Sequence, residues 1–431
     1  MKWLPFLTLF LVLSLGLHGQ KIGIKSPNNK LEASLGSSGS GAWYLTVNYF
    51  NEHRPVVAIP KIELGLSRSD QDFSTELKFL NAGKPRFVNE QYTAIHGKRS
   101  HCSNQANELT VFFENPSKAK MNLIIRAYND GVVFRYEFPE KEGTFVVKDE
   151  FTSYTIPDST MRWLTRFNPA NEGLYSTQQD GNEQKDWGYP ALFNTPDKAC
   201  WFLIHEAGLN RTYCGTKLSN YGEKNNYKLT FPDQWNGRGT GETQPTVTLP
   251  WKSPWRVIMV GSLATIVEST LVDDVSEPSV IAKTDWIRPG KVSWNYWSDN
   301  HGTRSYKTVC AFADLAATMG WPYTLLDWEW DSMGDGGQLA DALDYIHSIG
   351  VKPLIWYNSG GDHTWVNATP KDRMLTHKHD QLLHRYSGRC RPLRNHGLFP
   401  RLPGAAGLGA HLSAPDDLRR CSWCRVVQQR T

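Results

Sequence analysis

Three short apolar runs, KVSWNYW (291–297), YTLLDWEW (323–330) and KPLIWYNSG (352–360), start at residues 291, 323 and 352, a spacing of about 30 residues. Between the first two, Val309, Phe312, Leu315, Ala316 and Met319 recur at helical spacing and stop at Gly320. Between the second and third, Leu339, Ala342, Leu343, Ile346 and Ile349 do the same and stop at Gly350. Strand, helix and strand in this rhythm predict a parallel βαβ array, which leads to a (β/α)8 barrel or a doubly wound sheet. A complete barrel takes about 250 residues, and the periodic text is confined to 290–378. The expectation is therefore an incomplete (β/α)8 barrel, made of its first three βα units.

Residues 21–285 follow another rule. Short apolar or aromatic runs such as AWYLTVNYF (42–50), LTVFFEN (109–115), MNLIIRAYNDGVVFRYEFP (121–139) and ACWFLIHEA (199–207) alternate with turn clusters, and no long amphipathic helix interrupts them. Asn129-Asp130-Gly131 between two strand-like runs predicts a hairpin. Over this length the pattern predicts an N-terminal antiparallel β-sandwich. Hydrophobic residues at 40%, charged residues at 21% and a mean hydropathy of −0.48 exclude a disordered chain and a multi-span membrane protein.

The formal charge of +4 suggests an acidic partner until its location is considered. Residues 379–431 hold nine Arg, no Lys and only Asp380, Asp416 and Asp417 as acids, so without them the charge falls to −2. The tail also carries Cys390, Cys421 and Cys424 and shows no sustained period. It reads as translation out of frame, a non-native Arg-rich tail. The alternatives are a basic nucleic-acid arm and a Cys421-x-x-Cys424 metal or redox pair, but a lone pair lacks the second half of a zinc site. No nucleic-acid partner is expected.

At the other end, MKWLPFLTLFLVLSLGLHGQ (1–20) has a basic Lys2, an apolar run and a small residue near a plausible cut. It predicts a signal peptide and a periplasmic or secreted protein, because the run is shorter than the roughly 20 residues of a membrane span. Cys102, Cys200, Cys214 and Cys310 have no framework spacing and are read as small hydrophobes.

In a parallel barrel the chemistry sits at the C-terminal ends of the strands. Here those ends carry Asn295, Tyr296 and Trp297; Asp327, Trp328, Glu329 and Trp330; and Trp356, Tyr357, Asn358 and Ser359. Fourteen of the seventeen Trp lie between residues 163 and 365. Indole faces beside carboxylates suit the C–H faces and hydroxyls of a sugar, although a single Trp more often fills a core. Asp327 at a strand end is costly to bury without a partner, which favours a polar site. Gly334-Asp335-Gly336-Gly337 lacks the Walker lysine and the dinucleotide spacing and reads as a turn. His205-Glu206 lies in a strand-like run and reads as structural.

The text SPNNKLEASL (26–35), YNDGVVFRYEFP (128–139), IHEAGL (204–209), SPWRVIMVG (253–261) and the strand–helix series from Val292 to Gly361, in this order, resembles glycoside hydrolase family 97. The resemblance covers residues 21–378. It implies an exported enzyme with an N-terminal β-super-sandwich, a catalytic (β/α)8 barrel and a calcium ion, acting on α-glucosides with inversion or α-galactosides with retention. On the matching positions Glu172 would be the sandwich carboxylate that ligates calcium, and Asp327 and Trp328 would be substrate contacts with the oligosaccharide or α-glycoside. The inverting branch places a base carboxylate where this chain has Asn358, and an amide cannot serve as a base. The resemblance thus points to the retaining branch, with its nucleophile on the fourth strand. The catalytic residues are expected beyond residue 378, so the 431-residue chain is expected to be inactive. The rival reading is a carbohydrate-binding protein without catalysis.

Overall fold

Period-two alternation builds the N-terminal region. The computed structural model describes residues 22–356, apart from 40, 52, 53, 169, 170, 211, 235, 237–241 and 282. The expected signal peptide, the strand-end residues Tyr357, Asn358 and Ser359, and the Arg-rich tail lie outside the described residues.

Among the described residues one antiparallel sheet has eight strands, in the spatial order Ile22–Lys25, Leu31–Ser37, Trp43–Asn51, Arg54–Glu63, Ser153–Thr155, Asn226–Thr230, Lys217–Ser219 and Asp186–Trp187. The second sheet is larger. Its consecutive strands are β1 (His101–Glu114), β2 (Lys120–Tyr128) and β3 (Gly131–Phe138). The chain then forms β4 (Thr144–Glu150), which pairs with Leu66–Arg68 and Thr246–Thr248 in a small third sheet. It returns to the second sheet as β5 (Trp201–Ala207) and β6 (Trp255–Gly261), and β6 lies between β5 and β3.

Leu31, Ala33, Leu45, Val47 and Ile62 of the first sheet share one buried cluster with Val111, Leu123, Ile125, Phe134, Ile204 and Ile258 of the second. The expected sandwich is present. Each of the larger side chains among them contributes about 1.5–3 kcal/mol by leaving water.

The expected hairpin is also present, but its glycine has a different task. Pairing of Val132 with Ala127 leaves Asn129 and Asp130 as the loop and puts Gly131 inside β3, where its φ is not positive. A Cβ on Gly131 would lie 2.5 Å from the Ile258 carbonyl oxygen and 2.5 Å from Leu271 Cδ2. Close packing, not turn geometry, requires glycine there. Leu271 belongs to α2 (Leu271–Asp274), which with α1 (Leu263–Glu268) covers part of the outer face of the second sheet, over Val88, Ala106, Tyr128 and Val257.

Inside the sandwich, Arg256 on β6 is fully buried. Its Nε donates to Glu150 Oε1 at 2.8 Å and its Nη2 to Glu150 Oε2 at 2.6 Å, while Nη1 donates to Glu206 Oε2 at 2.9 Å. Tyr213 Oη donates to Glu150 Oε2 at 2.6 Å, and Thr216 Oγ1 donates to Glu206 Oε2 at 2.7 Å. Burial alone would lower the Arg256 pKa, but the facing Glu150 carboxylate outweighs it and holds the guanidinium well above its ordinary value. His205-Glu206 is thus structural, as its place in a strand suggested.

The parallel unit follows as β7 (Val292–Trp294), α3 (Tyr306–Thr318), β8 (Tyr323–Leu326), α4 (Leu339–Ser348) and β9 (Lys352–Ile355). The strands pair in parallel, Trp294 with Leu325 and Leu325 with Leu354. Ser305 caps α3 by accepting from the Thr308 N–H, and Gln338 and Asp341 form a capping box on α4. Gly320 and Gly350, at φ 65° and 77°, end the two helices as expected, because only glycine enters this region without a steric cost. Val309, Ala313, Ala316, Leu326, Ala342, Leu343 and Ile346 form a separate buried cluster.

One expectation fails here. KVSWNYW reads as a buried strand, yet only Val292–Trp294 is strand, with Ser293 buried and Val292 and Trp294 at 38% and 37% exposure. The helices cover one face only: Ser293 Oγ points to it, donating to the Phe312 carbonyl and to Thr324 Oγ1, each at 2.8 Å. The row Trp294, Leu325 and Leu354 occupies the other face.

A prediction follows from the Arg256 network. Glu150→Ala strands a buried guanidinium and should destabilise the sandwich by about 3–5 kcal/mol. Urea unfolding followed by far-UV circular dichroism checks it; an unchanged midpoint would mean that Arg256 finds another acceptor.

Candidate functional site

The C-terminal ends of β7 and β8 and the loops that leave them bring together acids, amides and indoles. Asp327 follows directly on β8 and is 6% exposed. Its Oδ2 accepts from Trp294 Nε1 at 2.6 Å, and its Oδ1 accepts from the Trp328 backbone N–H at 2.6 Å. The carboxylate therefore orients the indole at the end of the neighbouring strand.

Two residues on, the backbone leaves the strand abruptly. Glu329 has φ 70° and ψ 12°, in the left-handed region that a side chain other than glycine rarely occupies. Such a conformation costs of order 1–3 kcal/mol and persists only where its surroundings hold it. Here they do. Glu329 is 3% exposed; its Oε2 bonds His301 Nδ1 at 2.8 Å and its Oε1 accepts from Arg304 Nη2. His301 and Arg304 come from the segment between β7 and α3, so the buried carboxylate ties the two strand-end loops together. The His301 ring also lies 5.1 Å from the Trp328 ring, and Trp328 Nε1 donates to the Asn300 carbonyl.

Asn295, next to β7, is 2% exposed; its Oδ1 accepts from Thr303 Oγ1 at 3.4 Å, while its Nδ2 has no partner among the described residues. Trp294 stacks on Tyr296 at 5.5 Å and 12°, and Trp297 is 85% exposed. At the end of β9, the Trp356 carbonyl accepts from Trp330 Nε1 at 2.7 Å. This surface offers flat aromatic faces and fixed hydrogen-bonding groups, which suits a polyhydroxylated ligand.

Of the residues singled out in the sequence, Asp327 and Trp328 are thus brought together with Trp294. Asn358 lies outside the described residues. Glu172 sits on an exposed loop between Met161–Leu164 and Ser176–Gln178 of the sandwich. Among the described residues no group of three or more His, Cys, Asp or Glu is arranged to hold a metal ion. His301 and Arg304 had no signal in the sequence: they lie in a loop, and nothing in their spacing links them to Glu329.

The family model described as "Glycosyl-hydrolase 97 N-terminal" matches residues 24–278. The chain belongs to glycoside hydrolase family 97. A probable retaining alpha-galactosidase of Streptomyces bingchenggensis is 29% identical over 70% of this chain and 46% of its own length. A retaining alpha-galactosidase of Bacteroides thetaiotaomicron is 24% identical over 83% of this chain and 57% of its own. This family 97 chain therefore spans about half the length of the curated relatives it matches. Among solved structures, a beta-arabinopyranosidase superposes with a TM-score of 0.75 at 26% identity, covering 86% of this chain and 61% of the other. A family 97 enzyme from Pseudoalteromonas sp. strain K8, solved with panose, superposes with a TM-score of 0.67 at 20% identity, covering 79% and 55%, and shares the fold. Among the described residues of this family 97 member, no helix is long and apolar enough to cross a membrane.

The Asp327 geometry yields a second prediction. Asp327→Ala removes the acceptor of both Trp294 Nε1 and the Trp328 N–H, and the loss of a part-buried hydrogen bond costs about 0.5–1.5 kcal/mol each. Chemical denaturation read by near-UV circular dichroism should show a lower midpoint and a changed tryptophan signal; neither change would mean that water already serves these donors.

Proposed function

We propose that this chain is the N-terminal part of an exported, calcium-dependent glycosidase that cleaves α-galactosides with retention, α-glucosides being the other substrate class considered. The observation that carries the reading is the Asp327–Trp294–Trp328 arrangement at adjacent parallel strand ends, in a chain two of whose curated relatives are named a probable retaining and a retaining alpha-galactosidase. The start of a (β/α)8 barrel accounts for the bare row Trp294, Leu325 and Leu354, which in a closed barrel faces its interior. Asn358 agrees with retention, since an amide at the third strand cannot activate water. In the retaining mechanism one carboxylate attacks the anomeric carbon while a second, about 5–5.5 Å away, protonates the leaving oxygen. Both are assigned to strands beyond residue 378. Asp327, Trp328 and Asn358 bind the sugar.

Calcium takes hard oxygen donors. Glu172 fits it as one carboxylate donor on an exposed loop, with the remaining donors on the later strands. In an enzyme that carries residues 21–378 of this chain and the remaining barrel strands, Glu172→Gln should weaken calcium binding. Calorimetric titration showing unchanged affinity would remove Glu172 from the site.

A second reading, a β-arabinopyranosidase, is favoured by the solved structure that covers 86% of the chain. The two substrates are close, because a β-L-arabinopyranoside is an α-D-galactopyranoside without its C6 hydroxymethyl group. Rates on the two p-nitrophenyl glycosides separate the readings. Proton NMR of the first product should show the α-galactose anomer before mutarotation; the β-anomer appearing first would refute retention, and sugar binding with no turnover would favour the non-catalytic alternative.

A further inference from the structure

A second polar cavity lies away from the strand-end site, on the outer face of the second sheet. Its volume is about 250 Å³, and its lining includes Arg99, Asn104, Gln105, Asp130, Ser269 and Asp274, from β1, the β2–β3 loop and the α1–α2 corner. This is below the roughly 300–1,000 Å³ of pockets that hold drug-sized ligands and suits a single small ring.

Asn104 is the unusual member. It alternates inward on β1 with Cys102 and Ala106 and is 7% exposed, yet among the described residues neither its Nδ2 nor its Oδ1 has a hydrogen-bond partner. A buried amide left wholly unpaired is rare and costly, and leucine at the same place would avoid the cost. The exposed side chains of Arg99 and Gln105 border the same cavity and can move to admit a ligand.

The remaining groups restrict the ligand class. Ser269 Oγ donates to Asp130 Oδ2 at 2.7 Å, while Tyr92 Oη and Thr270 Oγ1 donate to Asp274 at 2.7 and 3.1 Å, so both carboxylates are fixed. Burial raises the Asp130 carboxyl above its ordinary range against the pull of the Ser269 bond, and the charge of Asp274 adds to the rise. An anionic ligand would meet these two carboxylates and the Glu268 side chain, against one lining cation, Arg99, whose Nη2 already donates to the Glu268 carbonyl. A metal ion lacks the grouping it needs, since no three acidic, His or Cys side chains cluster among the described residues. A hydroxyl both donates and accepts, and an amide with one open donor beside one open acceptor complements it.

We infer that this cavity is an accessory, non-catalytic site for one neutral sugar ring, held by Asn104 and the Asp130 and Asp274 carboxylates. The choice of a sugar among neutral polyols rests on the proposed glycosidase reading; the polyol chemistry rests on the cavity. Calorimetric titration of the full 431-residue chain with methyl α-D-galactopyranoside and methyl α-D-glucopyranoside tests it, and hydrolysis plays no part in the readout. Saturable binding of either glycoside, weakened at least about tenfold in Asn104→Leu, supports the site. Gln105→Ala, an exposed position, gives the same test by a smaller loss if Asn104→Leu does not fold. No saturable binding up to about 50 mM, or binding kept in full in a folded Asn104→Leu, overturns it. Failure of the glycosidase reading shows elsewhere, as absence of turnover by the enzyme with a complete barrel.

Discussion

A fully buried guanidinium sets the terms for the sandwich. Arg256 lies on the central strand β6, and both of its carboxylate partners come from other strands, Glu150 from β4 in the small third sheet and Glu206 from β5 beside it. Around them Tyr213, Thr216 and Thr152 supply the remaining hydrogen bonds, and Thr152 passes the chain on to Tyr136 and the Gly65 N–H. Replacing a buried ion network by an apolar cluster of the same volume is often neutral or stabilising, but such a cluster tolerates sliding. A one-residue slip of β6 would point Arg256 to the opposite face and leave both acids unanswered. The charge network thus selects a register that hydrophobic burial alone leaves negotiable.

The strand-end site repeats that logic at smaller scale. Glu329 holds an unfavourable backbone conformation because its buried carboxylate meets His301 and Arg304, and the same bonds join the loops that follow β7 and β8. Asp327 and Trp328 sit between this clamp and the sheet, so their positions relative to Trp294 are set from both sides. Groups intended for an oriented ligand gain from such fixation, since the cost of ordering them is met by folding and not by binding.

Much of this was legible in the sequence. Alternation exposed the sandwich strands, and the spacing of three apolar runs with glycines at 320 and 350 exposed the parallel unit, because both periods follow directly from backbone geometry. Asp327 and Trp328 were legible because strand ends in parallel sheets are where chemistry collects. What stayed hidden depends on contacts between residues distant in sequence. Nothing local tells that Glu150 and Glu206 converge on Arg256, more than a hundred residues after the first of them. Gly131 looked like a turn residue, and its true constraint, the carbonyl of Ile258, is visible only once β6 is in place. The strand at 291–297 was overestimated because its burial depends on a face that the helices do not cover.

The position of β6 has a consequence for how the protein is made. Strand β3 is complete at Phe138, but its neighbour on one side, β6, begins only at Trp255. At about 5–20 residues per second, a ribosome needs roughly 6–23 s to bridge that interval. Throughout it the nascent chain carries a strand of almost wholly buried residues, GVVFRYEF, with one row of peptide groups open to any passing strand. The second sheet closes from the middle and late, which makes the interval before Arg256 emerges the one in which a chaperone has most to protect.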